Sequence, residues 1–265
     1  MDARLETLVR RVHPDGVLLE AVPLRGGISA TLTKLRVKVA DRDVQLVLRQ
    51  PDRAAFEFRL LTRLHDRGLP VPRPVRLEPP GPLLASGGLL LSWLPGRSDL
   101  TACETGSGVA QAARMLASIH RLDGRHPDFD FLPDSPADAP SPARGHEPAV
   151  LHGDYWPGNW LWHAGRLQGV LDWEDAHRGD PLEDLANARL EVWIRFGADA
   201  MATFTTAYRA AASHVDTRRL AVYDRWAADR AVGRVVRWTE DPVARTRLTV
   251  AIAAFGHAAP PSPPA

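Results

Sequence analysis

Cysteine is nearly missing from this chain: Cys103 is the only one in 265 residues. A lone thiol excludes an intramolecular disulfide framework and fits a reducing compartment. Long hydrophobic runs are missing too. Nothing approaches the ~20 apolar residues that a membrane-crossing helix needs, so no membrane partner is expected. An excess of one charge is also lacking, since 33 Lys and Arg offset 32 Asp and Glu for a formal net charge of +1. That balance gives no support to nucleic-acid binding, which draws on a basic surface. The first residues, Met1-Asp2-Ala3-Arg4-Leu5-Glu6, have no apolar signal core and read as the start of a helix. The expectation is a soluble cytoplasmic protein, a monomer or homodimer. Composition is globular, at 45% hydrophobic and 25% charged, and 265 residues provide one large or two small domains with ample core.

What is present is concentrated near the middle. Ala149-Val150-Leu151 runs into His152-Gly153-Asp154, placing Asp154 where a short strand gives way to a loop. Pro157-Gly158 turns the loop back before Asn159. Asn159 to Trp162 and Gly169 to Leu171 then read as a hairpin closed around Ala164-Gly165, which returns Asp172 beside Asp154 and Asn159. Oxygen-bearing side chains would converge there, with Asn159 and Asp172 suited to Mg²⁺, a hard cation that keeps substrate phosphates as partners. An isolated Asp-x4-Asn is more often a capped turn. His152, Asp154, His163, Asp172 and His177 could also be read as a hydrolase metal set, although tight His spacing is lacking. The Trp residues of 156–173 suit either a sugar platform or core.

Asp-x4-Asn followed by an Asp at the end of the next hairpin is the phosphoryl-transfer arrangement of the kinase fold. His152-Gly153-Asp154, Asn159 and Asp172-Trp173-Glu174 resemble the aminoglycoside phosphotransferase and choline kinase-like family, the small-molecule branch of that fold. The resemblance implies an α+β, two-lobed protein-kinase-like molecule, with a small antiparallel β-sheet lobe and a larger, mainly helical one. The expected division is a nucleotide-binding lobe over 1–95, a catalytic and acceptor-binding lobe over 96–257, and a disordered tail over 258–265. It implies transfer of the γ-phosphate of ATP or GTP to a hydroxyl of a small molecule. Asp154 would be the base, and Asn159 and Asp172 would hold Mg²⁺. Gly153 stands where protein kinases carry an Arg, and only seven residues separate Asp172 from Asp180. Both departures point away from peptide acceptors. A true antibiotic-resistance enzyme and a catalytically idle nucleotide-binding regulator are the alternatives.

In the first third, residues 4–12 and about 53–67 have helical spacing, while 31–39 and 44–49 alternate as strands. Gly26-Gly27 would form a turn whose backbone approaches the phosphates. Arg49 ends its strand where the family usually places a phosphate-binding Lys, and Glu57, on the apolar stripe of the next helix, would pair with it. Leu69 to Pro74 reads as an extended linker. Leu89 to Leu94 reads as a buried strand, and the resemblance gives the backbone of Ser92, Trp93 and Leu94 to the nucleotide base.

Later in the chain a helix starts at Gly108. Residues 125–148, rich in Pro and Ala, read as a long surface loop, and Asp180-Pro181 with Glu183 reads as a capping box opening a helix to about Phe196. Further helices are expected at 199–213, 216–239 and 242–255. Trp226, Arg230, Arg234 and Arg237 fall on one helical face. With Glu174 uncertain between a metal and a substrate amine, Trp226, Arg230 and Arg234 favour a neutral or anionic hydroxylated acceptor with an apolar or ring portion. Polycationic aminoglycosides stay open, because 172–191 is acid-rich.

Overall fold

The computed structural model describes residues 2–24, 30–98, 100–103, 106–142 and 147–258. It divides into two compact units, Met1–Pro95 and Gly96–Ala265.

The N-terminal unit is an antiparallel sheet of β1 (Val17–Pro23), β2 (Ala30–Val39), β3 (Arg42–Pro51), β4 (Pro74–Glu78) and β5 (Gly88–Ser92), ordered β1-β2-β3-β5-β4. Alternation decides its two faces, because successive side chains in a strand point opposite ways. Leu35 pairs with Leu46 and Leu48 with Leu90, and these bury against Leu8 and Val9 of helix α1 (Ala3–Arg10). The opposite face carries Val47 beside Leu91 and Arg49 beside Leu89. Helix α2 (Ala54–Asp66) contacts β3, β4 and β5 and buries Leu60, Leu61 and Leu64. Two strands escape the sequence reading. β1 exposes Val17 and Leu19 around a buried Leu18, and β4 occupies what reads as the end of a proline linker. Pro74 is tolerated because β4 is an edge strand, where one N–H is not needed.

The C-terminal unit is mainly helical: α3 (Gly106–Ile119), α4 (Leu182–Ala211), α5 (Leu220–Trp238) and α6 (Pro242–Ala258). Between α3 and α4 lie β6 (Ala149–Leu151), paired with β9 (His177–Gly179), and the hairpin of β7 (Trp160–His163) and β8 (Arg166–Val170). α3 buries Val109, Ala112, Ala113 and Leu116 and packs on α4. α4 bends at Gly197 (φ 84, ψ −175), a backbone region essentially closed to other residues. That bend separates the two helices expected to end near Phe196 and begin near 199.

Residues 125–142 are pinned more than a surface loop requires. Phe129 and Leu132 are buried, Ser135 Oγ donates to Glu183 Oε1 at 2.6 Å, and Arg219 donates to Ser141 O at 2.6 Å. α6 runs on to Ala258, and the remaining tail lies outside the described residues. No helix among the described residues is long and apolar enough to cross a membrane.

Candidate active site

β6 delivers His152 to Asp154 at the end of a fully buried strand. Gly153 takes φ 82, and a Cβ there would lie 2.1 Å from the Asp175 carbonyl oxygen, so this turn admits only glycine. The buried His152 ring braces the turn. Its Nδ1 accepts from Asp154 N at 3.2 Å, and its Nε2 donates to Leu171 O at 3.0 Å. Acceptance at Nδ1 requires the neutral ring, and burial pushes the His152 pKa down. One imidazole thereby links the residues before Asp154 to those before Asp172. Beneath them is an aromatic block. Trp173 lies 4.5 Å from His152 between ring centroids, Trp160 stacks on Phe204, and the Tyr155 hydroxyl donates to Ala112 O at 2.8 Å. Trp160, Trp162 and Trp173 are therefore core rather than a sugar platform.

Asp154 and Asn159 come together. Asn159 Nδ2 donates to Asp154 O at 2.9 Å and to Asp154 Oδ2 at 3.1 Å. Leu171 N donates to Asn159 O at 2.9 Å, which closes the hairpin next to Asp172. Asp172 itself adopts a left-handed φ of 65, a conformation that Asp tolerates better than most residues. Asp154 sits in a strongly acidic setting. Burial, then the charges of Asp175, Glu191 and Asp172, push its pKa up to about 7 against the Asn159 bond. A carboxyl poised near neutrality within reach of other acids is a feature of proton-transfer sites.

The oxygen donors fit a hard cation. Because Asn159 turns its Nδ2 onto Asp154, its planar amide directs Oδ1 away from that carboxyl. Mg²⁺ is commonly bound by one or two carboxylates together with phosphates. No group of three or more His, Cys, Asp or Glu suited to a metal occurs among the described residues. His163 is exposed and His152 is committed to its backbone bonds, which counts against the hydrolase alternative.

A profile of the phosphotransferase enzyme family matches residues 20–145 and 136–227. The chain belongs to that family. Membership makes it a small-molecule kinase by class, and its α+β organisation is the one expected of that fold. No curated protein matches the chain in sequence. Among solved structures, a protein named as an aminoglycoside phosphotransferase from Ralstonia eutropha JMP134 is 17% identical with a TM-score of 0.71, covering 97% of this chain and 98% of its own. Choline kinase from Cryptosporidium parvum Iowa II is 10% identical with a TM-score of 0.68, covering 95% and 93%. A thermostable mutant of aminoglycoside phosphotransferase APH(4)-Ia, in ternary complex with AMP-PNP and hygromycin B, is 16% identical with a TM-score of 0.60, covering 95% and 99%. At these identities the likeness concerns the fold.

The other expected residues of this phosphotransferase are distributed as follows. In the N-terminal unit, Arg49 Nε donates to Glu57 Oε2 at 2.8 Å, and both residues are buried. Glu57 is therefore a core acid with a partner, not a surface charge. Gly26 and Gly27 lie outside the described residues. Ser92 N donates to Arg73 O at 2.9 Å and Trp93 N to Gln45 O at 3.2 Å, so the sheet already uses two of the N–H groups assigned to a nucleotide base. In the C-terminal unit, Glu174 is half-buried beside Asp172 in sequence. Arg230 stacks over the half-buried Trp226 ring at 4.6 Å and faces Asp138 at 3.7 Å, while Arg234 is exposed. Burial lowers the Arg230 pKa, as does neighbouring Arg234, against the pull of Asp138, Glu183 and Asp175.

Two acids matter that the sequence reading did not single out. Asp184, fully buried in the first turn of α4, accepts from His152 N at 2.6 Å and Gly153 N at 2.9 Å, and His120 donates to it at 3.3 Å. Burial would raise its pKa, but the bond from His120 and the charges of His120 and His177 hold it at about 2. It is the clamp on the turn that carries Asp154. Glu191, two helical turns on, is buried, ion-paired with Arg195, and part of the field at Asp154. Burial raises its pKa against the Arg195 charge. The capping box at Asp180 is also observed, with Leu182 N donating to Asp180 Oδ1 at 2.9 Å and Asp180 N to Glu183 Oε1 at 3.1 Å. Those two acids are therefore structural.

Proposed function

We propose that the chain moves the γ-phosphate of ATP or GTP to a hydroxyl of a small molecule, with Asp154 accepting or orienting the hydroxyl proton. The supporting observation is the pair of bonds from Asn159 Nδ2 to the Asp154 carbonyl and carboxylate, made beside Asp172. They fix the direction of a carboxyl whose buried, acidic surroundings favour taking a proton. General-base assistance of this kind is worth roughly 10²–10⁴ in rate. Asn159 and Asp172 would hold Mg²⁺. Held there, the metal would supply the positive charge that offsets the negative charge developing on transfer.

The remaining assignments follow the family pattern. Arg49, held by Glu57, steadies the α- and β-phosphates through a planar guanidinium in place of an ammonium. The Gly26-Gly27 turn would approach the phosphates. The backbone at Ser92 to Leu94 would meet the base, and with the first two N–H groups engaged the donor falls to Leu94. Comparable chemistry is represented among the structural neighbours, one of which holds AMP-PNP and hygromycin B.

For the acceptor, Trp226, Arg230 and Arg234 favour a neutral or anionic hydroxylated compound, with Trp226 supplying an apolar ring face. A true aminoglycoside phosphotransferase is the second reading, favoured by Asp175, an exposed acid in the field of Asp154. Transfer from γ-labelled ATP and GTP with Mg²⁺ should be measured against neutral sugars, hydroxylated metabolites and kanamycin-type compounds. Turnover of the first two groups, weakened by Arg230→Ala, is the expected result. Efficient turnover of kanamycin-type compounds unaffected by Arg230→Ala would establish the second reading instead.

A further inference from the structure

A hollow of about 570 Å³ opens in the C-terminal unit at the bend of α4. Arg195 and Phe196, before the bend at Gly197, line it together with Asp199, Ala200 and Thr203, after the bend, and with Leu100 and Val109. One lining residue, Arg195, connects the hollow to the loop that carries Asp154. Arg195, which lines it, also covers the Trp156 ring at 4.7 Å and pairs with Glu191. Trp156 follows Asp154 by two residues, and its N–H donates to Asp154 O at 3.1 Å.

From this placement we propose that the hollow receives the non-reacting part of the acceptor, and that this part is amphipathic and uncharged. The inference rests on Asp154 being the base of phosphoryl transfer. Leu100, Val109 and Phe196 offer an apolar surface, whereas Thr203 and Asp199 offer hydroxyl and carboxylate partners. Arg195 and Asp199 line the hollow with opposite charges, so its lining carries no net charge to reward an anion or a polycation. The volume lies within the roughly 300–1,000 Å³ of pockets that enclose small organic ligands. A ring or chain with hydroxyls along one edge meets all these conditions.

The test uses two probes that differ only in their apolar part, methyl β-glucoside and hexyl β-glucoside, kept below micelle-forming concentration. Calorimetric titration of the full chain needs no turnover. Burial of each methylene is worth about fourfold in affinity, so the hexyl compound should bind at least about tenfold more tightly. Ala200→Phe, which fills the hollow, should abolish that advantage, and Phe196→Ala should reduce it, while ATP-induced thermal stabilisation of both variants stays at the wild-type level. Equal affinities for the two glucosides, including no measurable binding of either, would overturn the proposal. So would a chain-length advantage that survives Ala200→Phe. An advantage lost in Ala200→Phe, in a protein that transfers no phosphate to any acceptor, would support the hollow as a ligand site and count against the catalytic reading alone.

Discussion

Asp154 is held where a charge is expensive. It is half-buried and feels Asp175, Glu191 and Asp172, with the Asn159 amide in opposition. The same surroundings that suit it to take a proton make the ionised group a cost to the fold, as in other sites that trade stability for activity. Asp154→Asn is nearly isosteric and removes one of four mutually repelling charges. In protein free of Mg²⁺ and nucleotide at pH 8, calorimetry should show a Tm equal to or above that of wild type. A clearly lower Tm would mean that the carboxylate is structural. Asn159 and Asp172 are read differently, as groups completed by a cation. Asn159→Ala and Asp172→Ala should each raise the Mg²⁺ concentration needed for half-maximal binding of a nucleotide analogue, by tenfold or more. Metal titrations that superimpose on wild type for both variants would remove them from the site.

Two junctions between elements carry the geometry. β3 and α2 meet through Arg49 and Glu57, a buried pair in which removing either partner strands a charge, at a cost of about 3–5 kcal/mol. Arg49→Ala and Glu57→Gln should each destabilise the protein in denaturant unfolding, and the double variant should lose clearly less than the sum. Additive losses would show that the two act independently. This junction was legible in the sequence, because an acid on an apolar helical stripe needs a partner and Glu57 lies only eight positions after Arg49.

The second junction was not legible. Asp184 binds the backbone of His152 and Gly153 from 32 and 31 residues away and His120 from 64, and a backbone N–H leaves no trace in sequence. Its consequence is a pH dependence. A carboxyl held at about 2, below the ordinary value near 4, adds stability that is complete above about pH 4. That stability is lost as pH falls from about 4 to about 2, on the order of 2 kcal/mol. Asp184→Asn should flatten this part of the acid-unfolding curve and lower kcat through misplacement of Asp154. An unchanged acid limb would contradict the clamp.

At the scale of the whole molecule, the two compact units and the family membership rest on different kinds of information. The central stretch from His152 to Asp172 declares itself because its functional residues lie within 21 positions and the turn between them is written in Pro157-Gly158. β1 and β4 do not declare themselves: one exposes apolar residues on an outer edge and the other begins at a proline. The acceptor side is least legible. Its proposed residues touch segments distant in sequence: Arg195 covers Trp156 and Arg230 faces Asp138. The central claim is that this fold exists to let Asp154 deprotonate or orient a hydroxyl for phosphoryl transfer. It is tested most directly by quantifying phosphorylated product from γ-labelled ATP or GTP with Mg²⁺ across a panel of hydroxylated acceptors, in parallel for wild type and Asp154→Asn. Product from wild type, a rate lower by roughly 10²–10⁴ in the variant, and equal binding of AMP-PNP by both is the predicted result. Equal rates in the two proteins, or no product from wild type with any acceptor, would contradict it.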